Sequence, residues 1–351
     1  MAELVWKDKA RPRTGRCSNE ECEQGSGGTM GRWRLVTEEC YPPEGTDGGA
    51  AGMPGERWHN RLIRGDRSAA LAALLPEFGA SINLIYIDPP FMTGRSFAKD
   101  GQLAYQDTWR NDLDAYLQWL YETLVYLHDL LAVDGSLYIH LDWRTSHYAK
   151  IMLDEIFTIG AHMGGAGFKN EIIWHYQSGG SSQRSFARKH DTLLLYTKSA
   201  RYCFHGERVG ERRGARRRNH MRKEIGEDGR VSWSISSAGR VYTYDEDTRM
   251  APSDVWSDIS HLHQRDPERT GYATQKPLAL LERIILASSE EGDLVLDCFC
   301  GSGVMPVAAE RLGRRWIACD NSDLAITTTR ARLLAESQRQ PFVVQHVEAV
   351  E

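Results

Sequence analysis

The feature that most restricts the fold is the alternation of short apolar runs with longer amphipathic segments. Ile82–Ile87 (INLIYI) and residues 136–141 (SLYIHL) are mainly apolar runs, which are typical of parallel strands buried on both faces. Between them, residues 112–132 carry apolar side chains at helical spacing, and Asp134 and Gly135 are expected to end this helix. Because a helix that joins two parallel strands packs on one face of their sheet, the pattern predicts an α/β fold with a doubly wound, Rossmann-like sheet.

The same alternation continues on both sides of a long interruption. The interruption, residues 200–270, is rich in glycine, serine and charged residues and predicts an inserted module. Residues 1–57 are rich in glycine and proline and predict an irregular N-terminal arm. The remaining predicted strands are residues 61–64, 171–176, 191–197, 294–298, 315–319 and 342–346, and the remaining predicted helices are residues 68–78, 145–159, 277–288, 304–312 and 322–336.

Composition and charge exclude several classes of protein. The chain has 351 residues, enough for two domains or one domain with an insertion, and 41% of them are hydrophobic. The net charge of −5 excludes a chain that is basic overall, but residues 207–223 hold eight Lys or Arg against two Glu. No apolar run reaches the roughly 18 residues of a transmembrane helix, and the N-terminus lacks an apolar signal core. We therefore expect a cytoplasmic protein.

The cysteines and histidines give little support for a metal site. The seven cysteines are odd in number and scattered, which favours free thiols over a disulfide framework. Cys17, Cys22 and Cys40 leave a zinc site open, but the spacing of the first two is wide for zinc and no clear fourth ligand follows. His261 and His263 lie in a polar segment and are more typical of surface residues. We expect no metal.

The four residues after the strand Ile82–Ile87 form the first candidate site. Asp88, Pro89, Pro90 and Phe91 follow the carboxyl end of a strand, where open α/β sheets bind ligands. The prolines stiffen the turn and bring no N–H group, so the segment presents one carboxylate, bare carbonyl oxygens and one aromatic face. This set suits a planar group with an exocyclic amine. A tight turn with a core phenylalanine is the alternative.

A glycine-rich turn between a strand and a helix forms the second candidate site. Gly301 and Gly303 let the backbone approach a ligand, and the helix that follows offers free N–H groups. The next predicted strand ends at Asp320, 23 residues after Asp297, where an acidic residue commonly binds ribose hydroxyls. These residues predict a cofactor that contains adenosine. Pro306 stands where dinucleotide-binding turns carry a third glycine, which counts against NAD.

Three motifs, in this order, resemble those of the β-class amino DNA methyltransferases. They are DPPF at 88–91, TQKP at 274–277 and DCFCGSG at 297–303. The resemblance extends over about residues 58–335 and is to the modification subunits of type III restriction–modification systems and to site-specific adenine-N6 DNA methyltransferases. It implies S-adenosylmethionine as the cofactor and double-stranded DNA as the partner. A homodimer and a restriction subunit as a further partner stay open.

The resemblance also implies a division of the chain. Residues 58–199 would form the catalytic half of the methyltransferase domain, residues 200–270 the target-recognition insert and residues 271–351 the cofactor-binding half. The implied catalytic residues are Asp88, Pro89, Pro90 and Phe91, and the implied cofactor-binding residues are Asp66, Thr274, Gln275, Lys276, Asp297, Phe299, Gly301, Gly303 and Asp320.

The implied chemistry begins with a base that has been flipped out of the duplex. Hydrogen bonds to the Asp88 carboxylate and the Pro89 carbonyl would localise the lone pair of the target amine, while Phe91 stacks on the base. The chain departs from the family pattern at Phe91 and Met92, where the family often has Tyr and Asn, and at Val304, where it has Thr. Phenylalanine still offers a ring for stacking.

Asp88 favours adenine N6 as the target, because a serine at this position is more typical of cytosine-N4 enzymes. Cytosine N4 stays an alternative, as does a catalytically idle DNA-binding relative. Phosphate contacts to DNA are expected from a basic run, although a solvated loop would have the same composition. The candidate DNA-binding residues are Arg184, Arg188, Lys189, Arg212, Arg213, Arg216, Arg217 and Arg218.

Overall fold

The computed structural model divides into two units. It describes residues 4–12, 32–42, 58–99, 101–109, 112–158, 165–177, 183–210, 220–226, 228–245, 247–248, 250–337 and 340–350. The larger unit is Met1–Cys203 with Val255–Glu351, and the smaller unit is Phe204–Asp254. The separate unit is thus narrower than the predicted insert, because residues 255–270 belong to the larger unit.

A ten-stranded sheet forms the centre of the larger unit, in the order β1-β15-β2-β14-β13-β3-β6-β8-β7-β12. The strands of the chain are β1 (Arg32–Tyr41), β2 (Asn60–Arg64), β3 (Ile82–Ile87), β4 (Arg95–Lys99), β5 (Gln102–Asp107), β6 (Leu131–Leu141), β7 (Gly167–His175), β8 (His190–Thr197), β9 (Arg222–Ile225), β10 (Val231–Ser237), β11 (Arg240–Asp245), β12 (Val255–Trp256), β13 (Leu294–Asp297), β14 (Arg315–Asp320) and β15 (Phe342–Val350). The helices are α1 (Arg67–Phe78), α2 (Leu113–Leu130), α3 (Ser146–Thr158), α4 (Gly206–Val209), α5 (Leu278–Ser288), α6 (Val304–Arg311) and α7 (Asp323–Ala335).

Helices cover both faces of this sheet. On one face, buried side chains of α1, α2 and α3 form a core with Ile85 and Ile87. On the other face, α5, α6 and α7 pack against Leu84 and Tyr86. Successive side chains of a strand point to opposite faces, so one apolar run serves both cores. The prediction of a doubly wound α/β fold is confirmed. Strand β8 is antiparallel to both of its neighbours, β6 and β7.

The structure corrects two local predictions. Residues 32–41 of the predicted irregular arm form β1, which pairs antiparallel with β15. Asp134 and Gly135 do not end α2, because that helix ends at Leu130 and both residues lie within β6. Leu131 already pairs with Ile82, and the register then shifts before the pairing continues. The apolar Leu131 allows the sheet to begin earlier than the turn residues indicated.

The smaller unit contains a three-stranded antiparallel sheet in the order β11-β10-β9. Its exposed strands are rich in charged and hydroxyl side chains, and Trp233 is its buried apolar centre at 1% exposure. Across the described ranges, no helix combines the length and the apolar character needed to span a membrane.

Candidate active site

A cavity of about 1340 Å³ opens at the carboxyl ends of the central strands of the larger unit. Because the neighbouring strands β2, β14, β13, β3 and β6 are parallel, residues far apart in sequence meet along this one edge. The predicted site residues that line the cavity are Asp66, Asp88, Pro89, Pro90, Phe91, Thr274, Gln275, Lys276, Asp297, Phe299, Gly301 and Asp320.

Asp88 lies directly after β3, and its two carboxylate oxygens differ in their surroundings. One oxygen accepts a hydrogen bond from the Lys276 ammonium group. The other is buried and accepts none from the described part of the chain. The Lys276 nitrogen also lies 5.3 Å from the centre of the Phe91 ring. Asp88 therefore keeps one acceptor for a ligand while Lys276 holds the other.

The two prolines are held by different means. The Pro90 carbonyl accepts a hydrogen bond from the Tyr116 hydroxyl at 3.0 Å. Pro89 is buried, and no described residue donates to its carbonyl. The Pro89 carbonyl therefore has no donor among the described residues, whereas the Pro90 carbonyl is not bare, because Tyr116 donates to it.

Asp107 organises the backbone that follows the prolines. Its carboxylate accepts hydrogen bonds from the N–H groups of Phe91, Met92 and Thr93 at 3.2, 2.8 and 2.8 Å. The Thr93 hydroxyl and the Trp109 indole N–H donate to it at 2.7 and 3.1 Å. Met92 has a φ of 59°, which an L residue rarely adopts. Asp107, at 1% exposure, fixes this turn. No motif in the sequence marked it.

A chain of hydrogen-bonded polar side chains lies next to Phe91 and crosses three neighbouring strands and the end of a fourth. Tyr86 and His140 in it are buried, and Asp191 and Tyr176 are half-buried. Tyr86 hydrogen-bonds one ring nitrogen of His140 at 3.0 Å, and Asp191 hydrogen-bonds the other at 3.1 Å. The Tyr176 hydroxyl donates to Asp191 at 2.9 Å. Phe91 stacks on the His140 ring, with the ring centres 6.1 Å apart. Burial favours the neutral acid of Asp191, but these hydrogen bonds outweigh it and lower its pKa.

The glycine-rich turn and Asp320 are built around backbone N–H groups. Asp320 accepts from the N–H groups of Gly301 and Ser322, both at 2.9 Å, and Asp297 accepts from Phe299 N–H at 2.9 Å. Burial raises the pKa of Asp320 to about 6 and raises that of Asp297 well above its usual range. Asp88 and several further aspartates line the same cavity, so bound groups that donate hydrogen bonds would be favoured there.

Gly303 contributes through packing rather than by lining the cavity. It caps the N-terminus of α6 with a φ of 74°, a conformation that favours glycine. A Cβ atom at this position would lie 2.6 Å from Thr329. Gly303 therefore lets α6 start close to α7, and it is Gly301 that faces the cavity.

The segment before α5 places Lys276, while Gln275 braces the loop. The side-chain oxygen of Gln275 accepts hydrogen bonds from the Thr270 N–H and hydroxyl groups, both at 2.9 Å. Its side-chain NH2 group donates to the backbone carbonyl of Glu268. Thr274 has a φ of 62°, and its hydroxyl lies 3.3 Å from that of Tyr105. Of the TQK residues, Lys276 has its charged group at Asp88, and Gln275 has its amide committed within the loop.

Asp66 faces the cavity but also caps α1. Its carboxylate accepts from the N–H groups of Ser68 and Ala69 at 2.9 and 3.4 Å. Next to it, Arg67 is buried with its guanidinium 4.2 Å from the centre of the Trp119 ring, and burial lowers its pKa. Both Arg67 and Trp119 line the cavity, and no motif marks either of them as a site residue.

The predicted DNA-binding and zinc residues are only partly described. Arg184 and Arg188 are exposed and Lys189 is half-buried in the loop before β8. Cys40 lies half-buried on β1. The residues of these predictions that lie outside the described ranges are Cys17, Cys22, Arg212, Arg213, Arg216, Arg217 and Arg218.

Comparison with known proteins places this chain in a family. A model of the N6/N4 DNA methylase family matches residues 82–330. The chain belongs to this family. Type II methyltransferase M.HpaI of Haemophilus parainfluenzae is 30% identical over 272 residues, which cover 77% of this chain and 73% of the relative. DNA adenine methyltransferase YhdJ of Escherichia coli K12 is 29% identical over 261 residues, covering 74% and 77%.

One solved structure of similar fold is PvuII DNA methyltransferase, described as cytosine-N4-specific. It aligns with a TM-score of 0.52 at 17% identity and covers 79% of this chain and 88% of that one. Membership in the family confirms a DNA methyltransferase of the restriction–modification kind, and with it S-adenosylmethionine as the cofactor and DNA as the substrate.

Proposed function

We propose that this enzyme transfers a methyl group to the N6 amine of adenine in DNA. The observation that carries the proposal is the pair of acceptors at the cavity, the buried Asp88 oxygen without a partner among the described residues and the Pro89 carbonyl. An exocyclic amine has two N–H groups that match two such acceptors. The similarity to the E. coli relative YhdJ, which is named a DNA adenine methyltransferase, supports adenine as the target base.

The residues around the glycine-rich turn fit the cofactor. S-adenosylmethionine supplies an electrophilic methyl group on a sulfonium when bound. Asp320 would accept from the ribose hydroxyls, because its carboxylate is buried at the cavity and oriented by Gly301. Asp66 would lie at the adenine end and Asp297 with Phe299 at the methionine end. Lys276, Thr274 and Gln275 would form the nearby wall, with Lys276 as the cation for the carboxylate.

The residues at Asp88 would raise the reactivity of the amine. Its lone pair is delocalised into the ring of the base, which makes the nitrogen a poor nucleophile. Hydrogen bonds to Asp88 and to the Pro89 carbonyl would draw the nitrogen toward tetrahedral geometry and localise the lone pair. Phe91, whose ring stacks on that of His140, would stack on the flipped base. Positioning and electrostatics supply most of the rate in such a site.

We propose that the unit Phe204–Asp254 recognises the target sequence. It contains the basic run, residues 207–223, whose arginines suit phosphate contacts. Residues 58–199 would then form the catalytic half and residues 271–351 the cofactor-binding half. As an enzyme acting on DNA in organisms like those of its relatives, it would work in the cytoplasm.

Nucleoside mass spectrometry tests the base assignment. Purified protein is incubated with unmethylated genomic DNA and labelled S-adenosylmethionine, and the DNA is digested to nucleosides. We expect labelled N6-methyldeoxyadenosine. Labelled N4-methylcytosine would reject adenine as the target base and leave the proposed roles of Asp88 and Pro89 unchanged. Cofactor binding without any methylated nucleoside would favour the idle DNA-binding relative.

The pKa of Asp320 predicts how cofactor affinity depends on pH. Burial raises the pKa to about 6, so the carboxylate is ionised above that pH and becomes protonated below it. If ribose binding needs the ionised form, affinity for S-adenosylmethionine falls roughly tenfold between pH 7.5 and pH 5. Calorimetric titration across this range measures it. Asp320→Asn should bind weakly with little pH dependence, and a wild-type affinity that stays constant down to pH 5 would contradict the assignment.

A further inference from the structure

Beside the cavity, side chains from two loops form a small aromatic and basic surface. Trp143 and Arg144 follow β6, and Arg184, Phe186 and Arg188 come from the loop before β8. Trp143 is 46% exposed and Phe186 is fully exposed. These five side chains make up the Trp143 surface. Large exposed aromatic rings between arginines are unusual on a protein surface that has no partner for them.

Direct contacts hold Trp143, Arg144 and Arg188 of the Trp143 surface at the edge of the cavity. The guanidinium carbons of Arg188 and Arg144 lie 3.9 and 4.8 Å from the centre of the Trp143 ring. Arg144 also pairs with Asp142, which lines the cavity wall. The two loops are thus joined through Trp143, one residue away from the cavity.

We infer that the Trp143 surface binds the DNA strand next to the target base, with an unstacked base on its aromatic rings and phosphates on its arginines. The inference rests on the proposed function. A base inside a duplex is out of reach of Asp88, so it must leave the stack and expose its neighbours. Rings interleaved with arginines are the chemistry that binds unstacked nucleotides, because every base has a face for stacking and every linkage a negative charge.

The spacing in the loop before β8 supports this reading independently of the contacts. Arg184 and Arg188 each stand two residues from Phe186 along the chain, so the ring of Phe186 is flanked in sequence by positive charge. The basic side chains bring charge complementarity to a phosphate backbone in a chain whose net charge is −5. A protein partner would need an acidic surface at the mouth of the cavity, which is where the DNA substrate itself must enter.

The chain offers a matched control at the opposite edge of the sheet. Phe168 is 41% exposed, and the Lys150 ammonium lies 4.2 Å from the centre of its ring. It is at the amino end of β7, paired with Tyr196, whereas the cavity lies at the carboxyl ends. Phe168→Ala therefore removes an exposed ring beside a cation without touching the cavity edge.

The test compares binding of single-stranded and paired DNA by fluorescence anisotropy. The probe is a fluorescein-labelled oligonucleotide of mixed sequence, alone and annealed to its complement. Trp143→Ala and Phe186→Ala should each weaken binding of the single strand about tenfold and change binding of the duplex less than about twofold. The salt dependence should stay the same, because the rings carry no charge. Trp143→Phe and Phe168→Ala should bind like the wild type.

Two results would overturn the inference. Unchanged affinity of both alanine variants for the single strand would mean that the rings do not stack on bases. An equal loss on single strand and duplex would mean backbone contact or altered folding, and thermal melting separates the latter. Since the readout is DNA binding, finding N4-methylcytosine instead of N6-methyladenine would reject the proposed base and leave this result standing.

Discussion

Replacing Asp88 by alanine is expected to slow methyl transfer to DNA by about a thousandfold or more, with S-adenosylmethionine binding nearly unchanged. The variant removes the acceptor that we propose localises the lone pair of the amine, and such an interaction matters most as the new bond forms. On the cofactor side, Asp297, Asp320 and the glycine-rich turn stay intact. Single-turnover rates with labelled cofactor measure the first quantity, and calorimetric titration measures the second.

Two further variants make the Asp88 experiment specific. Asp88→Asn keeps one carbonyl acceptor and should lie between wild type and alanine. Asp114→Ala removes an exposed aspartate from the first turn of α2 and should leave the rate unchanged. If cofactor affinity falls in parallel with the rate in Asp88→Ala, Asp88 serves the cofactor through Lys276, and the proposed role in binding the amine is wrong.

Most strands at the centre of the sheet could be predicted from sequence because each contains a short, mainly apolar run. A run such as INLIYI at Ile82–Ile87 leaves few alternatives to a strand buried on both faces. The hairpin of β4 and β5 was missed because its strands, RSFAK and QLAYQD, are short, polar and exposed on one side. Such segments gain their structure from what they cover, which a local pattern does not reveal.

The candidate site also has residues that could be predicted from sequence and residues that could not. Asp88 stands at a strand end beside two prolines, and Asp320 ends the strand that follows the glycine-rich turn, so their positions carry a local signal. Asp88 and Lys276 lie 188 residues apart in the sequence. Their contact depends on the order of the strands in the sheet, which the spacing of residues along the chain does not reveal. His140 and Asp191 are polar residues next to apolar runs in their strands. A polar side chain at such a position needs a hydrogen-bonding partner, so these two residues do carry a signal in the sequence. Asp107 had no such mark, since its contacts are made by backbone N–H groups of another segment.

Removing Asp107 is expected to damage both the stability of the protein and the rate of the reaction. Asp107→Ala leaves partly buried N–H groups of Phe91, Met92 and Thr93 without their acceptor, and hydrogen bonds to a charged group contribute about 1.5–3 kcal/mol each. Because the turn can partly relax, we expect the free energy of unfolding to fall by about 3 kcal/mol. Displacement of Phe91 should lower the rate of methyl transfer about a hundredfold.

A neighbouring aspartate separates these two effects of Asp107. Asp112 is exposed and caps α2 with one hydrogen bond to Ala115 at 3.0 Å, so Asp112→Ala should cost about 1 kcal/mol and leave the rate unchanged. Urea denaturation gives the stabilities, and single-turnover rates are measured at a temperature where both variants are folded. If folded Asp107→Ala methylates DNA at the wild-type rate, Asp107 is a structural residue only. If Asp107→Asn restores stability but not rate, the charge of the carboxylate sets the position of Phe91, since the amide keeps its size and one acceptor.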